Sequence, residues 1–205
     1  MGSSPTFPTN VQWLARAPRL IGEMVSMADA LIVVDVQSLL VELLEPRRRE
    51  ELLSTLAGLI ARARDAGVPV VYVRHGDEEL QPGTASWEIA SEIAPRPGET
   101  IVDKRFRDAF RETDLADVLA RHGARRVVVC GIQTEFCVDA TMREAERRGY
   151  EVTLVEDGHA TYPADGASEE QIRAQVHRVA RGKVAKIVPA AEVFAGAAAA
   201  KAAFR

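Results

Sequence analysis

VVVCGIQTEFCVDATMREAERRGYEVTLVED, running from Val127 to Asp157, is the stretch on which the fold turns. Val127–Cys130 is apolar and largely β-branched, the composition of a strand buried on both faces. Gly131 interrupts the run, and Gln133, Thr134 and Glu135 make a polar turn. From Val138 the spacing becomes helical: Val138, Met142 and Ala145 share one face, while Arg143, Glu144, Glu146, Arg147 and Arg148 share the other. Gly149 stands where a helix C-cap glycine belongs, and Tyr150–Val155 reads as a second strand. The result is a strand-turn-helix-strand unit with Cys137 where the helix begins.

The same alternation extends in both directions. Upstream, Ala30–Val36 reads as a buried strand carrying one acid, Asp35. Arg47–Ala66 reads as a helix closed by Gly67, and Val68–Val73 as a strand. Arg74–Glu99 is a long connection with a short helical piece at Trp87–Ile93. Connections of that length in a compact domain are usually functional. Thr100–Lys104 reads as a strand and Leu115–His122 as a helix. Downstream, Ser168 caps a helix to Arg181, Lys183–Val188 is a sixth strand, and Pro189 opens a short helix at Ala190–Phe194. Strands alternating with helices predict a three-layer α/β fold, a parallel sheet covered on both faces.

Composition fits one globular domain: 205 residues, 47% hydrophobic, 27% charged, net charge −4. Neither a basic stripe for nucleic acid nor an apolar run near membrane-spanning length is present. The Ser/Pro-rich start predicts a flexible extension over residues 1–26, ahead of a domain at 27–196 and a flexible low-complexity tail at 197–205. Two cysteines, Cys130 and Cys137, make no disulfide framework, and free thiols predict a cytoplasmic protein. The four histidines, His75, His122, His159 and His177, lack zinc-ligand spacing. No G-x-G-x-x-G follows the first strand, which counts against a nucleotide- or flavin-binding domain.

In parallel sheets functional groups gather at the carboxyl ends of strands, near the point where strand order reverses. Asp35 ends the first strand, Lys104 ends the third, and Cys137 follows the fourth. A thiol at a helix start is expected to favour thiolate. A carboxylate inside an apolar run needs a cationic or hydrogen-bonding partner. Taken singly, each residue has a plain alternative: a small buried hydrophobe for Cys137, a loop-capping acid for Asp35, a solvated charge for Lys104. Together they supply a nucleophile, a base and a charge partner.

With DVQ at 35–37, the K-x-x-x-x-x-F segment at 104–110, GIQTEFCV at 131–138, T-x-R-x-A at 141–145 and EDGHAT at 156–161, the chain resembles the isochorismatase-like cysteine hydrolases. That superfamily includes nicotinamidases, N-carbamoylsarcosine amidohydrolases, ureidoacrylate amidohydrolases and streptothricin hydrolases. The resemblance covers nearly all of residues 29–195, and residues 74–89 look most like the streptothricin hydrolase-like branch. It implies a Rossmann-like six-stranded parallel sheet in the order 3-2-1-4-5-6. It also implies that Cys137 is the nucleophile, Asp35 the general base and Lys104 the holder of the Asp35 charge. A cis peptide at Ile132–Gln133 follows from it too, with the Gln133 and Cys137 N–H groups as the oxyanion hole.

The implied reaction is hydrolysis of an amide, lactam or ureido C–N bond of a small molecule through a thioester, with a streptothricin-type lactam among the candidates. No cofactor is expected. Nicotinamidases hold a metal through an Asp-x-His…His arrangement after strand two. Here Arg74, His75 and Asp77 stand there without a second nearby histidine, so no metal is expected either. Gln37, His75, Trp87, Phe110 and Thr134 are the candidate substrate contacts. Each has an ordinary alternative in loop hydrogen bonding or packing. Family members commonly form homo-oligomers, so a dimer or tetramer is expected. The competing reading is a catalytically silent or redox-sensing member of the same fold.

Overall fold

A computed structural model describes residues 29–195. The expected extension at 1–26 and tail at 197–205 lie outside the described residues. Six strands form one sheet: β1 (Ala30–Val34), β2 (Val70–His75), β3 (Thr100–Lys104), β4 (Arg126–Ile132), β5 (Glu151–Ala160) and β6 (Lys186–Val188). Their order is β3-β2-β1-β4-β5-β6, and every neighbouring pair is parallel. The helices are α1 (Ser38–Glu42), α2 (Pro46–Ala66), α3 (Leu115–Arg121), α4 (Asp139–Arg147) and α5 (Glu169–Ala180).

Period-two alternation in the central strands feeds two cores. Leu31 and Val33 of β1 join Tyr72, Val128 and the buried face of α2, including Leu52, Leu56, Leu59 and Ile60. Ala30, Ile32 and Val34 point the other way, with Val71, Val129, Leu119, Met142 and Val176. All five β1 residues are buried, which explains why this strand reads as an unbroken apolar run. The sheet is therefore the middle layer of three.

Helix ends obey local rules. Pro46 opens α2, and Gly67 closes it at φ 73. Ser168 and Gln171 form a reciprocal capping box at α5. Gly131 is required for a different reason. It has φ 126, and a Cβ there would stand 1.9 Å from the Val34 carbonyl oxygen, so β1 and β4 approach closely only because this position carries no side chain.

Three local expectations change. The helical piece at Trp87–Ile93 shrinks to a single 3-10 turn at Ser91–Ile93. Residues 88–90 instead run against the end of β1: Gln37 bridges Ile89, and the Ala90 N–H donates to the Val36 carbonyl at 3.0 Å. Strand β5 continues five residues beyond Val155, through a register shift opposite Val129–Gly131. The polar residues Glu156 and Asp157 hid that continuation. Residues 190–194 form turns in place of the expected last helix.

Candidate active site

Strand order reverses between β1 and β4, and the expected rim lies there. Asp35 follows β1 with its N–H bonded to the Val73 carbonyl at 2.9 Å. Its φ is 50, a left-handed conformation that aspartate tolerates better than most residues. Lys104 is the last residue of β3, paired in register with His75 of β2. Cys137 lies in a π-helical turn, Thr134–Val138, that runs directly into α4. The Ile132–Gln133 peptide preceding that turn is cis. The Gln133 carbonyl accepts from the Phe136 and Val138 N–H groups.

The side chains converge on the Lys104 ammonium. Its Nζ lies 2.7 Å from Asp35 Oδ2, both side chains being essentially inaccessible. It also donates to the Phe106 carbonyl at 3.0 Å and to Cys137 Sγ at 3.3 Å, and it contacts His75 Nδ1 at 3.2 Å. Beyond Lys104 and the Cys137 thiol, the Asp35 oxygens have no hydrogen-bond partner of ordinary geometry. Burial pushes the Asp35 carboxyl above the usual range, with Lys104 opposing.

Cys137 differs from the expectation for a thiol at a helix start. Burial, and then the charge of Asp35, push its thiol up to about 12, against the pull of Lys104. The helix-start reasoning weighed the backbone alone; a carboxylate in contact and the loss of water outweigh it. Both effects favour the protonated sulfur at rest, and the neighbouring carboxylate is the group placed to take its proton.

The weaker candidates fall in different places. Gln37 is fully buried, and its amide is occupied by main chain: Nε2 donates to the His75 carbonyl (2.9 Å) and the Trp87 carbonyl (2.8 Å), and Oε1 accepts from the His75 N–H (2.8 Å). It clips the long connection to the sheet. Trp87 packs under the Arg74 guanidinium at 3.5 Å and lines a cavity of about 690 Å³ with Gly76, Asp77, Glu78, Gln81, Pro82, Asp103, Lys104 and Arg105. A smaller cavity of about 240 Å³ also reaches Lys104, beside Phe106 and Arg111. Asp35 and Cys137 line neither; Lys104 lines both, with its ammonium buried behind them. Phe110 is buried and stacks on Tyr150 at 6.0 Å. Thr134 is buried with its hydroxyl 2.8 Å from His159 Nδ1.

Several contributors escaped the sequence reading. Thr141 accepts from the Ala109 N–H at 3.1 Å, tying α4 to the segment after Lys104. Asp77 Oδ2 lies 3.1 Å from His75 Nε2. His159 Nε2 and His177 Nε2 are 2.8 Å apart. The His75–Asp77 proximity was visible in the local sequence, whereas eighteen residues separate the other two histidines. Among the described residues no group of three or more His, Cys, Asp or Glu side chains could hold a metal ion. No helix there is long and apolar enough to cross a membrane.

A family profile described as Isochorismatase domain matches residues 29–184. The chain belongs to the isochorismatase family. A streptothricin hydrolase from Streptomyces noursei is 38% identical over 180 residues, an alignment covering 82% of this chain and 71% of that one. Nicotinamidase 3 of Arabidopsis thaliana is 32% identical over 152 residues, covering 65% of this chain and 73% of that one. Among solved structures, a cysteine hydrolase from Pseudomonas syringae pv. phaseolicola 1448A superposes with a TM-score of 0.74 at 26% identity, over 83% of this chain and 92% of that one.

Proposed function

We propose that this isochorismatase-family chain is a cysteine-dependent hydrolase of small-molecule C–N bonds, with Cys137, Asp35 and Lys104 as its catalytic residues. One observation carries the reading: a buried ammonium stands between a carboxylate at 2.7 Å and a thiol sulfur at 3.3 Å. The names of the relatives, a streptothricin hydrolase and a nicotinamidase, support the bond type.

In the proposed cycle a substrate carbonyl carbon meets Sγ of Cys137 as Asp35 takes the thiol proton. Lys104 offsets charge on whichever of the two atoms carries it. The carbonyl oxygen, now an oxyanion, is received by the Gln133 and Cys137 N–H groups. The C–N bond breaks, the amine leaves with the proton from Asp35, and an acyl thioester remains. Asp35 then deprotonates water, the thioester is cleaved to the acid, and the proton returns to sulfur. Each proton taken is returned, and no electron is gained or lost. The cavity beside Lys104, walled by Trp87, is the proposed substrate approach, and a streptothricin-type lactam is the first substrate to offer.

A redox-sensing role fits less well. Oxidation proceeds through thiolate, and burial and Asp35 push the Cys137 thiol away from that form. A panel of small amides, lactams and ureido acids, assayed by released amine with native protein and Cys137→Ala, tests the proposal. Turnover of at least one compound that disappears with Cys137 is the expected outcome; equal turnover by both proteins contradicts it.

A further inference from the structure

The Lys104 ammonium has three hydrogens and four acceptors around it. These are Asp35 Oδ2 at 2.7 Å, the Phe106 carbonyl at 3.0 Å, His75 Nδ1 at 3.2 Å and Cys137 Sγ at 3.3 Å. The two nearer acceptors each claim one hydrogen. The third hydrogen has two claimants, His75 and Cys137. An ammonium can only donate, so His75 Nδ1 must be the acceptor in that contact. The neutral ring then carries its proton on Nε2, facing Asp77 Oδ2 at 3.1 Å.

We propose that His75 is a positioning residue: its Nδ1 holds the third Lys104 hydrogen at rest and yields it to the Cys137 sulfur when the thiolate forms. The inference rests on the proposed Asp35–Lys104–Cys137 assignment and adds how Lys104 is held between turnovers. A thiol sulfur is a weak acceptor, so the imidazole nitrogen wins at rest. Both bonds have a cationic donor, but a thiolate also carries a full negative charge and so forms an ion pair with the ammonium that the neutral ring nitrogen cannot match, and the hydrogen moves. Lys104 thereby remains fully bonded in both states, as a buried ammonium requires.

The surroundings fit this task. The His75 main chain is clamped at both its N–H and its carbonyl by Gln37, so the ring has a fixed base. Against partial burial, the Leu80 and Glu79 N–H groups and His75 itself hold the Asp77 carboxyl below its usual range, keeping it charged. The charged groups facing the ring are Asp77 at Nε2, Lys104 at Nδ1 and, beyond Lys104, Asp35. The neighbouring Arg74 guanidinium is engaged elsewhere, with Asp103, Glu88 and the Trp87 ring. A ring held on one nitrogen by a carboxylate presents the other in a fixed tautomer.

The test is the rate of Cys137 alkylation by iodoacetamide between pH 6 and 10, read by intact mass and assigned by peptide mapping. His75→Phe keeps the ring's bulk and removes Nδ1, and His75→Leu serves in its place if the first variant does not fold. His75→Asn restores an oxygen acceptor near the Nδ1 position. Without the acceptor, Lys104 gives its hydrogen to sulfur, thiolate is favoured, and alkylation at pH 8 should accelerate at least fivefold. The Asn variant should stay within twofold of the native protein. Equal rates in the Phe and Asn variants, whether changed or unchanged, overturn the proposal. Lys104→Met separates the two levels. If it leaves the alkylation profile unmoved, the catalytic assignment itself falls; if it slows alkylation and His75→Phe has no effect, only the role of His75 falls.

Discussion

On one side of the Cys137 turn, Asp35, Lys104, His75 and Asp77 form a chain in which adjoining groups lie 2.7 to 3.2 Å apart, with the Asp35 and Lys104 charges buried and Asp77 at the exposed end. On the other side, Thr134, His159 and His177 form a chain with two contacts of 2.8 Å and no charge. Burial, and then Arg173, His177 and Arg48, hold His159 well below its ordinary value, so its ring is neutral. Burial and Arg173 lower His177 as well. Both chains satisfy buried polar atoms, yet only the first keeps an under-bonded carboxylate beside a thiol. A purely structural network has no need of buried charge, which is costly unless paired. The charged chain is suited to moving a proton and the neutral chain to holding Thr134, and through it the turn.

That contrast can be broken from either side. The largest effect is expected from Asp35→Asn. Turnover should fall about a hundred- to ten-thousand-fold, the usual range for losing a general base, while alkylation of resting Cys137 quickens because the charge that raises its thiol is gone. Parallel rate measurements on one preparation check whether the two move in opposite directions. Next, Lys104→Met strands a buried carboxylate and should cost about 3–5 kcal/mol in denaturant unfolding.

Changes in the neutral chain should be smaller and leave chemistry alone. His177→Leu removes the partner of His159 Nε2, an unsatisfied buried group worth about 1–3 kcal/mol, with the Cys137 alkylation profile unchanged. The same chain should make stability sensitive to acid. His159 resists protonation when folded and accepts it near pH 6.5 when unfolded, so the unfolded state binds more protons below that pH. Stability should therefore decline as pH drops from about 7 toward 5, by at most about 1.4 kcal/mol per pH unit from this ring. Unfolding curves of native protein and His159→Asn across that range should differ in slope.

Much of the fold could be read from particular residues. The apolar runs of β1, β2 and β4, with Gly67, Gly149 and Ser168 as punctuation, announce elements whose burial depends only on local pattern. Asp35 stood out because a charge inside an apolar strand demands a partner; Lys104 and Cys137 stood out only with it, as strand-end neighbours carrying the family-like motifs. What stayed hidden depends on pairing. The grip of Gln37 on residues 38 and 50 positions away exists only once β1, β2 and the long connection are adjacent. His75 faces Lys104 because β2 and β3 are in register. His159 reaches His177 because β5 runs through a bulge that Glu156, Asp157 and Gly158 disguise as a loop. The upward push on the Cys137 thiol was missed for a related reason: it comes from burial and from Asp35, about a hundred residues earlier.

The most direct test of the central claim is acid-quenched intact mass of the protein while it turns over an amide or lactam identified by the substrate panel. The account predicts a transient mass increase equal to the acyl half of the substrate, mapped to Cys137 and formed no more slowly than the amine is released. Cys137→Ala should show neither adduct nor turnover. Steady amine release by Cys137→Ala at the native rate, with no acyl group on the native protein at any time, would contradict it.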